Sequence, residues 1–277
     1  MRVEGSQRSA GILQLQCKPM LAPNLATVRA LIFDLDGTLI DSKEDLVLSV
    51  NAMLAEMGRP QLPGNAISSY IGQGAPTLVR RALEAEPSHA GNASRGKAET
   101  HAESSSRKRG PGDPRRQAAD DQEVQRGLEF FLHYYEEHRM QHTRAYPGVR
   151  EALGDLNGYP MAVLTNKPER ISMRILADLG LACFFQAVYG GNSFSSKKPD
   201  PLGVHTILKQ FAVSARDALL VGDSDIDVQT ARNAGAWAAS VTYGFGLRDP
   251  EMFPADVTLE RLTDLPPLLG NHGGSTA

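Results

Sequence analysis

Residues 31–42 read LIFDLDGTLIDS, and this stretch decides how the rest of the chain is understood. An apolar run with the composition of a buried strand stops at two aspartates one residue apart, Asp34 and Asp36, followed by Gly37 and Thr38 as a turn. The pattern predicts a strand over 30–36. Side chains alternate between the faces of a strand, so Asp34 and Asp36 are expected to point the same way at its carboxyl end. Two carboxylates crowded there repel one another unless a cation sits between them or one stays protonated. Asp and Gly are also common turn and helix-capping residues, so the string alone leaves a plain turn open.

Composition narrows the field. The 277 residues are 41% hydrophobic and 22% charged, with a formal net charge of −3 and an isoelectric point near 6.2. Such a chain can bury a sizeable core in one large or two modest domains. Its charge gives no electrostatic case for nucleic acid or an anionic membrane. No apolar run approaches the roughly 20 residues of a membrane helix. Cys17 and Cys183 match no metal or redox spacing, which suits reduced thiols and a cytoplasmic setting. Residues 1–27 read as a disordered leader, with Met20 as an alternative start. The apolar patch at 11–15 is too short for a secretory signal.

Outward from the aspartates, apolar runs without polar alternation predict further strands at 161–166, 186–190, 218–223 and 238–242. Helical patterns at 169–179, 201–210 and 226–234 separate them. Alternation of this kind predicts an α/β core, a doubly wound, Rossmann-like parallel sheet that binds ligands at the carboxyl ends of its strands. The core is expected to comprise 28–43 and 146–277, interrupted by an inserted helical cap domain at 44–145. In the cap, Leu46, Val50, Met53, Leu54 and Met57 share one helical face, as do Val124, Leu128, Phe131, Leu132 and Tyr135. Pro76 suits the first turn of a third helix, over 77–85. Between them, 86–121 holds no aliphatic or aromatic side chain larger than Ala and is expected to be disordered.

Three more sites fall at predicted strand ends. Thr165 and Asn166 close the second strand, Lys198 follows the third in KKPDP, and Asp223 ends the fourth, with Asp227 four residues on. Each has an ordinary alternative: Thr165 as a helix cap, Lys198 as a solvated lysine, and the two aspartates as capping or exposed acids. Their joint order at successive strand ends is what points to chemistry.

These four motifs, DLDGT, the Thr165 and Lys198 motifs and GDSDID, resemble the haloacid dehalogenase-like hydrolase superfamily. The cap between the first two fits one branch of it. Within that branch YIGQGAPTLVRRAL, TRAYPGV, KKPDP, VGDSDIDVQTARNAG and VTYG are similar to the bacterial phosphoglycolate phosphatases. The long polar insertion departs from that pattern, as does Asn192, which stands where an acid is more usual.

The resemblance implies a phosphatase acting on a small phosphorylated metabolite, 2-phosphoglycolate above all, as a monomer or homodimer. It implies Asp34 as nucleophile, Asp36 as acid and base, Thr165 as a hydrogen-bond donor to the phosphoryl group and Lys198 as the balance to its charge. Mg²⁺ is expected on the Asp34 carboxylate, the Asp36 carbonyl and Asp223, with Asp227 in support. Gly37, Gly72, Gln73, Gly74 and Asn166 are the expected substrate contacts, Gln73 being equally readable as a helix-start turn. Other readings remain at this point: a β-phosphoglucomutase-like phosphomutase, a permissive sugar-phosphate, nucleotide or pyrophosphate phosphatase, or a non-enzymatic phospho-receiver domain.

Overall fold

A computed structural model describes residues 25–85, 114–246 and 249–269. Its centre is a six-stranded parallel sheet. In chain order the elements are β1 (Ala30–Phe33), β2 (Ile40–Asp41), α1 (Lys43–Glu56), α2 (Gly64–Ser68), α3 (Ala75–Glu84), α4 (Pro114–His138), β3 (Arg144–Ala145) and α5 (Val149–Asp155). There follow β4 (Met161–Leu164), α6 (Glu169–Asp178), β5 (Ala187–Tyr189), α7 (Leu202–Phe211), β6 (Ala218–Gly222), α8 (Asp225–Ala234), β7 (Trp237–Val241), β8 (Val257–Leu259) and α9 (Pro266–Leu269).

The sheet order is β5-β4-β1-β6-β7-β8, so β1 lies inside and the order reverses around it. That reversal is where a doubly wound sheet opens a crevice at its carboxyl edge. Alternation along β1 feeds two cores. Leu31 and Phe33 join one apolar cluster, and Ala30 and Ile32 join the other on the opposite face. Every residue of β1, β4 and β6 is buried, which is why these strands read as unbroken apolar runs.

The expected strands are present but end sooner. β1 stops at Phe33, not at Asp36. The chain turns about the Leu35 carbonyl, which accepts the N–H groups of Thr38, Leu39 and Ile40. Asp34 and Asp36 are therefore not alternate residues of one strand, and a turn rather than strand periodicity sets their directions. Three strands were not anticipated: β8 at the sheet's edge, and β2 and β3, which pair antiparallel through Ile40 with Ala145 and Asp41 with Arg144.

Through β2 the chain leaves the core and through β3 it returns, with α1 to α4 between. The buried Asp45 carboxylate ties the two legs together, accepting the His142 N–H, the Thr143 N–H and the Thr143 hydroxyl. Val50, Met53, Leu54, Leu78, Val79, Phe131 and Tyr135 pack into the same apolar cluster that holds Leu31 and Phe33. Pro76 stands in the first turn of α3. α4 begins at Pro114, so 114–121 is helical where disorder was expected. Its Asp121 pairs with Arg80 of α3 at 2.8 Å. Residues 86–113 lie outside the described residues, as do 1–24 of the expected leader. Leu25–Thr27 forms a 3-10 turn with Leu25 buried. No described helix is long and apolar enough to cross a membrane.

Candidate active site

Three neighbouring strands, β4, β1 and β6, deliver Thr165, Asp34 and Asp223 to one edge of the sheet. Over that edge lies a cavity of about 580 Å³, walled below by these residues and above by helices α1, α3 and α4.

Asp34 sits one residue beyond β1, its N–H still donating to Val221 of β6 at 2.8 Å. Its Oδ1 accepts the Lys198 ammonium at 2.7 Å, and the same ammonium reaches Asp227 Oδ1 at 2.6 Å. All three residues are more than nine-tenths buried. Burial and the Asp227 charge push the Asp34 carboxyl up to about 6 against the pull of Lys198. For Lys198, burial works against the charge, but Asp227 and Asp34 outweigh it and hold its pKa above the usual lysine range. Asp227 also closes a capping box on α8, its Oδ2 accepting the Ser224 N–H at 3.1 Å and hydroxyl at 2.6 Å. Both its oxygens are thus engaged, which makes it a support for Lys198 and the α8 turn.

Asp223 accepts the Phe245 N–H at 2.7 Å. Burial first, then Asp227 and Asp34, raise its pKa well above the ordinary carboxylate value. Asp34, Asp223 and Asp227 each offer an oxygen within 4.8 Å of the others. The Lys198 ammonium compensates Asp34 and Asp227, whereas no ion pair among the described residues reaches the buried Asp223, and an all-oxygen donor set suits a hard ion such as Mg²⁺. The residues present fit that ion. Gly37, at φ +86°, is packed so tightly that a Cβ would fall 2.2 Å from Asp223 Oδ2. A side chain there would displace that carboxylate. Gly37 shapes the acid cluster and does not itself line the cavity.

Asp36 is held from two sides. Ser42 donates its hydroxyl to Oδ1, and the Lys167 ammonium reaches both oxygens at 2.9 and 3.1 Å. Lys167 also donates to the Tyr135 hydroxyl of α4 at 2.7 Å and stands 4.5 Å from that ring's centroid. Burial again opposes the lysine charge, yet Asp36 and Tyr135 raise its pKa. Burial pushes the Tyr135 phenol up to about 12, so the hydroxyl stays neutral at physiological pH. Lys167 therefore joins core and cap at the edge of the reaction centre.

Thr165 Oγ1 accepts the Lys167 N–H at 3.2 Å, which leaves the hydroxyl its own proton to donate into the cavity it lines. Asn166, expected at the substrate, lines the cavity, and its amide is also engaged by the loops around it. Its amide nitrogen donates to the Gly72 and Lys198 carbonyls at 3.1 and 3.2 Å, and its oxygen accepts the Lys198 N–H at 3.0 Å. Asn166 clasps the cap loop and the Lys198 loop to β4. Gly72 and Gly74 line the cavity, whereas Gln73 between them does not. Asn192 accepts the Glu169 N–H at the start of α6, a helix-opening contact away from the cavity.

The sequence reading passed over Lys167, Tyr135 and Ser42. Tyr135 was legible only as a packing residue. Lys167 directly follows the Thr165–Asn166 pair at a strand end, and that adjacency was the available signal. Ser42 follows β2, whose two residues carry no pattern.

A family model described as haloacid dehalogenase-like hydrolase matches residues 31–241, a span running from β1 through β7. The chain belongs to that family. It is 38% identical over 219 residues to a phosphoglycolate phosphatase of Pseudomonas savastanoi pv. phaseolicola, covering 78% of this chain and 70% of that one. It is 35% identical over 250 residues to a phosphoglycolate phosphatase of Chromobacterium violaceum, covering 90% of this chain and 99% of the relative. A crystal structure of a predicted phosphoglycolate phosphatase from Haemophilus somnus 129pt superposes with a TM-score of 0.72 at 29% identity, over 88% of this chain and 99% of that one. The chain is thus a phosphatase of the haloacid dehalogenase-like family. The receiver-domain reading lapses.

Proposed function

We propose that this phosphatase hydrolyses 2-phosphoglycolate to glycolate and phosphate, with Mg²⁺ and through a phosphorylated Asp34. The observation that carries the reading is the buried grouping of Asp34, Lys198, Asp223 and Thr165 at adjacent strand ends beneath a capped cavity. The names of the relatives described above support this choice of substrate.

A carboxylate oxygen of Asp34 attacks phosphorus in line, forming the P–O bond to Asp34 as the bond to the leaving oxygen breaks. Asp36, with one oxygen released from Lys167 and carrying a proton, gives that proton to the leaving oxygen, releasing glycolate. As a carboxylate, Asp36 then takes a proton from the water that attacks the aspartyl phosphate, and inorganic phosphate leaves. Lys198 holds Asp34 in place and balances the charge of the phosphoryl group from behind it, while the Thr165 hydroxyl faces the phosphoryl oxygens as negative charge builds on them. The Asp34 carboxylate, the Asp36 carbonyl and Asp223 would hold Mg²⁺, which would supply charge neutralisation to the phosphoryl group. Asp227 keeps Lys198 and the α8 turn aligned. The apolar cap wall keeps bulk water from the acyl phosphate until the leaving group has departed.

The test is phosphate release from 2-phosphoglycolate with Mg²⁺, beside sugar phosphates, nucleotides and pyrophosphate, with Asp34→Asn as the blank. Selective turnover that disappears in Asp34→Asn is expected. Equal turnover across the panel would remove the substrate assignment, and conversion of a sugar phosphate without phosphate release would favour a phosphomutase.

A further inference from the structure

The cavity wall contributed by the cap is mostly apolar, formed by Leu46, Leu78, Phe131 and Leu132 among others. One cation interrupts it. Ala75, Leu78 and Arg81 recur every third residue along α3 and all line the cavity, so one stripe of that helix faces it. Arg81 is half-buried and, among the described residues, has no hydrogen-bond or ion-pair partner. Its neighbour Arg80 turns the other way and pairs with Asp121 of α4 at 2.8 Å. Adjacent arginines on one helix thus have different tasks: one fastens α3 to α4, and the other borders the cavity.

Position favours contact with a ligand. α3 starts against the core, where a Cβ on Gly74 would lie 3.0 Å from the Asn166 carbonyl oxygen. Arg81 stands six residues beyond Ala75, about 9 Å along the helix axis at 1.5 Å per residue. Side chains of a helix lean toward its N-terminus, so the long Arg81 side chain inclines back toward the reaction centre.

Charge narrows the choice of ligand. Asp34, Asp36, Asp223 and Asp225 line the cavity on its core side and repel a second anionic group on the substrate. Among the described lining residues only Lys167 and Arg81 are lysine or arginine. The Lys167 ammonium is already taken by both Asp36 oxygens and the Tyr135 hydroxyl. Arg81 is left, and its guanidinium matches a carboxylate in a two-point hydrogen bond.

The geometry points to Arg81 as the residue that reads a carboxylate on the leaving group, an inference resting on the phosphomonoester reading above. It makes the cap selective for phosphorylated hydroxy acids over phosphate monoesters whose leaving group is uncharged.

The experiment compares two matched pairs in the full chain with Mg²⁺: 2-phosphoglycolate with ethyl phosphate, and 3-phosphoglycerate with glycerol 3-phosphate. Losing one charge-assisted contact should cut the ratio of kcat/KM for the acid over its neutral partner by roughly 10- to 100-fold in Arg81→Gln. Arg81→Lys should restore part of it, which a role in folding alone would not produce. A ratio unchanged in Arg81→Gln, with both esters slowed in parallel or neither slowed, would overturn the inference and leave the function standing. Wild-type preference for 3-phosphoglycerate, with the ratio still collapsing in Arg81→Gln, would remove glycolate as the leaving group and uphold Arg81.

Discussion

The floor and the roof of the cavity are built on opposite principles. The floor is a set of directed bonds: Lys198 between Asp34 and Asp227 at 2.7 and 2.6 Å, Ser224 on Asp227, Phe245 on Asp223, Lys167 on Asp36. The roof is largely packing, with Leu46, Leu78, Phe131 and Leu132 presenting shape and little direction. Directed bonds in a buried site tolerate almost no displacement, whereas apolar contact tolerates volume-conserving change. On the proposed function the floor fixes which bond is broken, and the roof chooses whose bond it is. Polar roof residues such as Tyr135, which meets Lys167 of the floor, and Arg81, the proposed carboxylate reader, depart from this rule.

Lys198→Met should disturb the floor most. It leaves two buried carboxylates without their cation, and removing one member of such a group typically costs about 3 kcal/mol or more. Urea denaturation should show that loss, and kcat should fall roughly 10²-fold or more as charge compensation is lost. A stable, active Lys198→Met protein would mean that the floor is not held by its ion pairs. Asp223→Asn tests the metal reading. Mg²⁺ should raise the melting temperature of the wild type through selective binding to the folded state, and that rise should vanish in the variant. An equal rise in both would move the ion elsewhere.

Substitutions in the roof should sort differently. Leu132→Ala is expected to change the ranking of phosphate esters several-fold while every active substrate keeps its requirement for Asp34. Uniform loss on all substrates would collapse the distinction between the two surfaces. Tyr135→Phe is the mildest. It deletes one acceptor of the Lys167 ammonium and leaves Asp36 in place, so stability should drop by about 1 kcal/mol. Unfolding by urea measures it, and a cost as large as that of Lys198→Met would place Tyr135 in the floor rather than at its edge.

Legibility in the sequence follows the same division. β1, β4 and β6 were readable because burial on both faces writes an apolar run, and the residues just beyond them, Asp34, Thr165 and Asp223, stand out by contrast. Where those strands stop was not readable. Hydrogen bonding of three amides to the Leu35 carbonyl ends β1 early, and nothing in FDLDG announces it. Two-residue strands such as β2 and β3 carry no period, and β8 at the sheet's edge is three residues long. Asn166 lines the cavity as expected, but its second task was not legible, because its residue type suits either a ligand or a backbone clasp. Only the positions of the Gly72 and Lys198 carbonyls show the clasp. The tight packing of Gly37 against Asp223 was not legible either. Lys167 became meaningful only when the fold brought Tyr135, 32 residues away, against it.

The central claim is that Asp34 carries the phosphoryl group between glycolate and water. Enzyme mixed with 2-phosphoglycolate and Mg²⁺, quenched in acid within one turnover and digested, can be read by the mass of the peptide containing Asp34. A phosphoryl group on Asp34 that appears before free phosphate, decays on a chase and is absent in Asp34→Asn is the predicted result. Phosphate formed at the wild-type rate by Asp34→Asn, with no modified peptide at any quench time, would contradict it.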